Sequence, residues 1–114
     1  MNFEETSSFQ KDVKKLSKKY KTLEGDIEEF KRVVKVAPFG NNNHFAVLSN
    51  NKNVHIIKAR FFCRALKGKH LRIVYAYHED GEISFLGIRF IELFFKGDKE
   101  REDQEKIKEY LNSI

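Results

Sequence analysis

The sequence predicts an α+β fold: an N-terminal helical hairpin packed on a small antiparallel sheet of three to four strands, with a C-terminal helix. Three observations carry this expectation. Apolar residues recur at helical spacing through the first third of the chain, and from Val54 onward they alternate with polar ones. After Gly97-Asp98 the helical spacing returns. At 114 residues the chain has the size of one domain, residues 1–114, with room for a modest core.

Phe9, Val13, Leu16, Tyr20, Leu23, Ile27, Phe30 and Val34 are spaced 4-3-4-3-4-3-4, which is the apolar stripe of helices facing a core. One long coiled-coil helix fits this stripe, and so do two helices broken near Thr22 to Gly25. Two helices fit better. Thr22 can cap a new helix, and Gly25 and Asp26 suit its first turn better than a helix middle. Pro38 and Gly40 stop the second helix. Asn41, Asn42, Asn43, Asn50, Asn51 and Asn53 then mark a polar, turn-rich connection, part of which packs down through Phe45, Val47 and Leu48.

In the next segment Ile57, Ala59, Phe61, Cys63 and Ala65 alternate with Lys58, Arg60, Phe62 and Arg64. The period is two, with one apolar and one basic face. Lys67-Gly68-Lys69 signals a turn, so residues 57 to 72 read as a β-hairpin. The second strand runs from Leu71 to His78. Glu79-Asp80-Gly81-Glu82 is a further turn with Asp-Gly at its centre. A third strand lies within Ile83 to Phe95, where Gly87 marks a bulge or bend. A helix then spans Lys99 to Leu111, with Ile107, Tyr110 and Leu111 on its apolar face. A short strand around Asn2 to Glu5 adds an edge.

With 40% hydrophobic and 34% charged residues, the chain reads as globular rather than disordered. Its formal net charge of +5 favours an acidic partner: nucleic acid, an anionic membrane or an acidic protein. Cys63 is the single cysteine, so no internal disulfide forms and no cysteine-based zinc site exists. Met1 to Glu5 lacks the basic start and apolar core of a signal peptide. The apolar-rich stretch Ile83 to Phe95 is too short and too charged to span a bilayer. A cytoplasmic protein is the expectation. Walker, dinucleotide-binding and nucleophile-elbow motifs are absent.

Lys58, Arg60, Arg64, Lys67, Lys69 and Arg72 place six cations in fifteen residues with no acidic residue among them. Lys96 to Glu109 differs, since five cations there meet six anions. The uninterrupted run is either a solvated strand face or a platform that grips phosphates at fixed spacing. Phe62, among these cations, either stacks on a base or belongs to the core. None of His44, His55, His70 and His78 makes a metal-ligand pair with a carboxylate. Each reads as a surface or partly buried histidine. His78, beside Glu79 and Asp80, is the one expected to carry a raised pKa and to serve as acid or base.

The helix pair, Arg60-Phe61-Phe62-Cys63-Arg64, Leu71-Arg72-Ile73-Val74-Tyr75-Ala76-Tyr77 and Phe95-Lys96-Gly97-Asp98-Lys99-Glu100 together resemble the RelE/ParE toxin superfamily, over residues 8 to 111. The resemblance implies a toxin of a type II toxin–antitoxin system. Members of the RelE branch are endoribonucleases that cut mRNA on the ribosome and so inhibit translation. They need no metal or cofactor: the RNA 2′-hydroxyl attacks the adjacent phosphorus, and cations steady the added negative charge. Carried over, Arg72, Arg64 and Lys96 form the catalytic set. Lys58, Arg60, Lys67, Lys69 and Lys99 bind RNA, and Lys96 and Lys99 compete for the basic position before the last helix. The implied partners are mRNA on the ribosome and a cognate antitoxin protein in a hetero-oligomer, with no membrane.

The chain departs from that pattern in one respect. Active members often place a Tyr or His at the strand end or in the last helix as acid or base. Here Phe94-Phe95 takes the strand end and Tyr110 lies far along the helix. A catalytically degenerate protein that holds an acidic antitoxin is therefore an alternative. A gyrase-inhibiting toxin of the ParE branch is another, and a double-stranded RNA-binding domain is a third, although that domain has a single N-terminal helix.

Overall fold

The structure, a computed structural model, describes residues 2–40, 43–51, 53–79, 87–98 and 101–114. Its elements are β1 (Asn2–Glu5), α1 (Ser7–Ser17), α2 (Leu23–Val36), β2 (Phe45–Asn51), β3 (Val54–Phe62), β4 (His70–His78), β5 (Gly87–Phe95) and α3 (Gln104–Asn112). The strands form one sheet in the order β1-β5-β4-β3-β2. β1 runs parallel to β5, and the other neighbours are antiparallel.

The α+β class, the paired helices and the closing helix agree with the sequence expectation. The sheet differs: it has five strands, not three or four, and it is mixed. The added strand β2 lies inside the asparagine-rich connection. Most of its residues are exposed, so it has little of the inward-outward alternation that marks a strand in sequence. Backbone pairing to β3 makes it a strand.

The apolar stripe of α1 and α2 packs on one sheet face. Phe9, Leu16, Leu23, Ile27, Phe30 and Val34 meet Ile57, Ala59, Phe61, Leu71, Ile73, Tyr75, Ile88, Phe90 and Leu93 there. The other face carries a smaller core, in which Ile56, Val74, Ala76, Ile91 and Phe94 meet Ile107 and Tyr110 of α3. α3 thus covers only part of that face and leaves the end around Arg60 and Arg72 outside the small core.

Caps and turns hold these layers in place. The Thr6 hydroxyl accepts from the Phe9 N–H at 3.1 Å and donates to the Ile91 carbonyl at 3.3 Å. It therefore starts α1 and fastens it to β5. Thr22 occupies the N-cap position of α2, but its hydroxyl does not cap the helix. It donates instead to Asp26 Oδ2 at 2.7 Å and accepts from the Ala65 N–H at 3.1 Å.

α3 begins at Gln104 rather than Lys99, because the Asp103 carboxylate caps it through the Glu105 and Lys106 N–H groups. Gly87 does not mark the bulge. The register of β4 against β5 slips between Val74 and Tyr75, which leaves Ile91 as the extra residue and turns both Ile91 and Glu92 toward the α3 side. Gly87 serves a close approach: it has φ 152°, and a Cβ there would lie 2.1 Å from the Asn2 carbonyl oxygen. The turn expected at Glu79 to Glu82 falls mostly outside the described residues.

Candidate nucleic-acid interface

The alternation of β3 and β4 decides which side chains share the open face. Ala59 and Phe61 point into the helix-side core, as do Leu71 and Ile73. Lys58, Arg60 and Phe62 on β3, with His70 and Arg72 on β4, therefore project from the opposite side. Arg60 is the direct cross-strand partner of Arg72, and Phe62 that of His70. Phe94 of β5 stands opposite Arg72 on its other side. The Arg60 N–H donates to the His44 carbonyl at 3.0 Å, which brings His44 to the edge of the same group.

Two guanidiniums placed directly opposite each other repel. Arg60 is exposed and Arg72 half-buried. Burial first, and the Arg60 charge second, lower the pKa of Arg72 from its ordinary value. Apart from a long contact of 3.4 Å from Arg72 Nη1 to the Leu71 carbonyl, neither guanidinium has a hydrogen-bond or ion-pair partner among the described residues. The pair thus offers forked donors to an anion from outside.

Phe62 is 60% exposed. The His44 and His70 rings approach it edge-on, with centroids 5.6 and 5.1 Å away and interplanar angles of 87° and 77°. Phe62 is therefore not a core residue, and an open aromatic surface lies beside the two arginines. Burial, then Arg72, Arg60 and His44, lower the pKa of His70.

The remaining expected cations divide. Lys58 lies on the correct face but is neutralised, with Nζ 2.9 Å from Oε1 of Glu102, a residue only 5% exposed. Burial alone would raise the Glu102 pKa; the Lys58 hydrogen bond and charge outweigh it and bring the pKa below its ordinary value.

Arg64 is not on the platform. β3 ends at Phe62, so the expected alternation to Ala65 does not continue. Arg64 turns instead to α2, where its Nε and backbone N–H donate to Asp26 at 3.0 and 3.1 Å. Burial raises the Asp26 pKa, but the hydrogen bonds from Thr22 and Arg64 outweigh this and lower it. Lys67 and Lys69 are exposed in the turn between the strands, and Lys96 is exposed just past the end of β5. Lys99 lies outside the described residues.

His78 corrects another expectation. It is 7% exposed and hydrogen-bonded to the Tyr110 hydroxyl under α3. Burial first, then Arg89, lower its pKa rather than raise it. It lies six residues from Arg72 along β4, about 20 Å at strand spacing, and so stands apart from the basic group.

His70 and His44 complete the site, and neither stood out in the sequence. The signal for His70 was present, since it lies two residues before Arg72 and so shares its face. His44 carried no comparable signal. Elsewhere, a cleft of about 230 Å³ runs along the β5 edge between Asp12, Lys15, Leu16, Leu93 and Phe95. Among the described residues no group of three or more His, Cys, Asp or Glu side chains is placed to hold a metal ion, and no helix is long and apolar enough to cross a membrane. Comparison with protein-family models, with curated proteins and with solved structures finds no match to this chain.

Proposed function

We propose that this chain is a toxin of the RelE type that binds single-stranded mRNA on the open sheet face and cleaves it on the ribosome. The observation that carries the reading is the Arg60–Arg72 pair, two facing guanidiniums with no carboxylate partner among the described residues. A phosphodiester supplies the missing negative charge and accepts both forks. Phe62 beside it offers a stacking surface for an adjacent unpaired base. The pair also stabilises the extra charge on phosphorus during attack by the 2′-hydroxyl. Lys67, Lys69 and Lys96 extend the positive field around the site, so RNA binding weakens as salt rises.

The order strand, two helices, strands, helix and the likeness of residues 8 to 111 to RelE-type toxins support the same reading. A cognate antitoxin would then cover this face with its own acidic side chains. The strand end Phe94-Phe95 carries no acid or base, and that favours a second reading in which the face only holds an acidic antitoxin.

Expression without an antitoxin, combined with mRNA cleavage by the purified chain on ribosomes, separates the two. The parent should arrest growth and cut mRNA. Arg72→Ala should lose about 10² to 10³ in cleavage rate, the loss typical when one donor to a developing anion is removed. A variant as toxic as the parent would overturn the site assignment, and a parent that never cleaves would leave the holding role.

A further inference from the structure

We infer that His70 is the general base of this site, taking the proton from the attacking 2′-hydroxyl; the inference rests on the RNA-cleaving reading above. The RelE-like pattern leaves the base unassigned here, because Phe94-Phe95 occupies the strand end. The sheet supplies a replacement from the neighbouring strand. His70 opens β4 and lies two residues from Arg72 on the same face, about 7 Å along the strand. It is the direct cross-strand partner of Phe62, so its imidazole stands where a stacked base and a gripped phosphate would bring the intervening ribose.

The other histidines are placed for different tasks. His55 is held between Asn50 Oδ1 at 2.5 Å and Glu79 Oε2 at 2.8 Å. His78 is hydrogen-bonded to Tyr110 beneath α3. His44 stands beyond Arg60, on the far side of the pair from Phe94. The His70 ring nitrogens, by contrast, make no hydrogen bond to any described residue.

A base must be neutral before it acts. Among the described residues, the groups that act on His70 are Arg72 from its own strand, Arg60 and Phe62 from β3, and His44 from the segment before β2. Lys67 and Lys69 precede it in the turn. Carboxylates are absent from this set, and the positive charges disfavour an imidazolium.

The step balances without a redox change. His70 accepts the 2′-hydroxyl proton as the 2′ oxygen bonds to phosphorus. The bond from phosphorus to the 5′ oxygen breaks, and that oxygen takes a proton from water. His70 then returns its proton to the hydroxide left behind. The products are a 2′,3′-cyclic phosphate and a 5′-hydroxyl.

The test compares the parent, His70→Gln and His55→Gln in RNA-binding titrations and in single-turnover mRNA cleavage on ribosomes between pH 5 and 8. The parent and His55→Gln should cleave faster as pH rises through an inflection below about 6.5. His70→Gln should keep its RNA affinity, lose about 10² to 10⁴ in rate and lack the inflection. Unchanged cleavage with the inflection intact would overturn the role of His70 and leave the RNA-cleaving reading standing. Loss of affinity with the inflection retained would make His70 a binding residue only. A parent that binds RNA but cuts none at any pH would overturn both readings.

Discussion

Arg60 and Arg72 stand directly opposite each other on β3 and β4, joined by strand pairing and opposed by charge. The stability of the sheet and the proposed use of its open face pull in different directions at this pair.

Replacing one member should therefore stabilise the fold while impairing binding. Like charges directly opposite on a sheet cost roughly 0.2–1 kcal/mol, and Arg60→Leu removes that repulsion. Urea unfolding should show a gain of up to about 1 kcal/mol, and the log–log salt slope of RNA binding should fall by roughly 0.7, one phosphate contact. A variant less stable than the parent would show that the pair does not repel in the folded chain.

Lys58 should behave in the opposite way. Its charge is consumed by the buried Glu102, so Lys58→Met leaves that carboxylate with the more distant Arg101, 3.8 Å away, as its remaining cation among the described residues. The expected cost is about 1–3 kcal/mol, the penalty for a buried polar group that loses its partner. RNA affinity and its salt slope should not move. A drop in affinity as large as that of Arg60→Leu would mean Lys58 reaches RNA after all.

Mild acid should loosen the fold through its buried histidine. The pKa of His78 is lowered in the folded state by burial and by Arg89, whereas in the unfolded chain it is about 6.5. Between those two values the unfolded state binds more protons, so stability rises with pH and is lost as pH falls from about 6.5 toward the lowered folded value. His70, lowered for related reasons, acts in the same direction. Denaturant melts from pH 7 to 5 should show this decline, and His78→Gln should flatten it in part. An identical slope in the variant would remove His78 as its source.

At Gly87 the paired residue Asn2 of the parallel strand β1 leaves no room for a side chain. Gly87→Ala puts a methyl against the Asn2 carbonyl oxygen at a φ that disfavours a side chain. The expected loss exceeds about 1 kcal/mol, with early loss of hydrogen-exchange protection along β1 and the paired part of β5. Protection equal to the parent would mean that β1 shifts to make room.

Much of the architecture could be read from local spacing. The 4-3 stripe marked the helical stretch, Thr22, Gly25 and Asp26 marked the break within it, and the alternation after Val54 located β3 and β4. The same alternation overran β3 by extending it to Ala65, because Cys63 continues the pattern while the backbone has already turned away. β2 was hidden for the reverse reason, since most of its residues are exposed and pairing alone defines it. The basic run was visible as charge, but its division was not. Arg64 meets Asp26 from 38 residues away in sequence, and Lys58 meets Glu102 from a separate element.

The sequence by itself determined the α+β class, the helical hairpin and the two faces of the central strands, because periodicity is a local property that side-chain geometry converts directly into faces. Only the tertiary structure decided which cations keep their charge available, and that His70 rather than His78 stands beside them. Neutralisation and burial depend on partners that folding brings from distant positions, and no spacing along the chain records them.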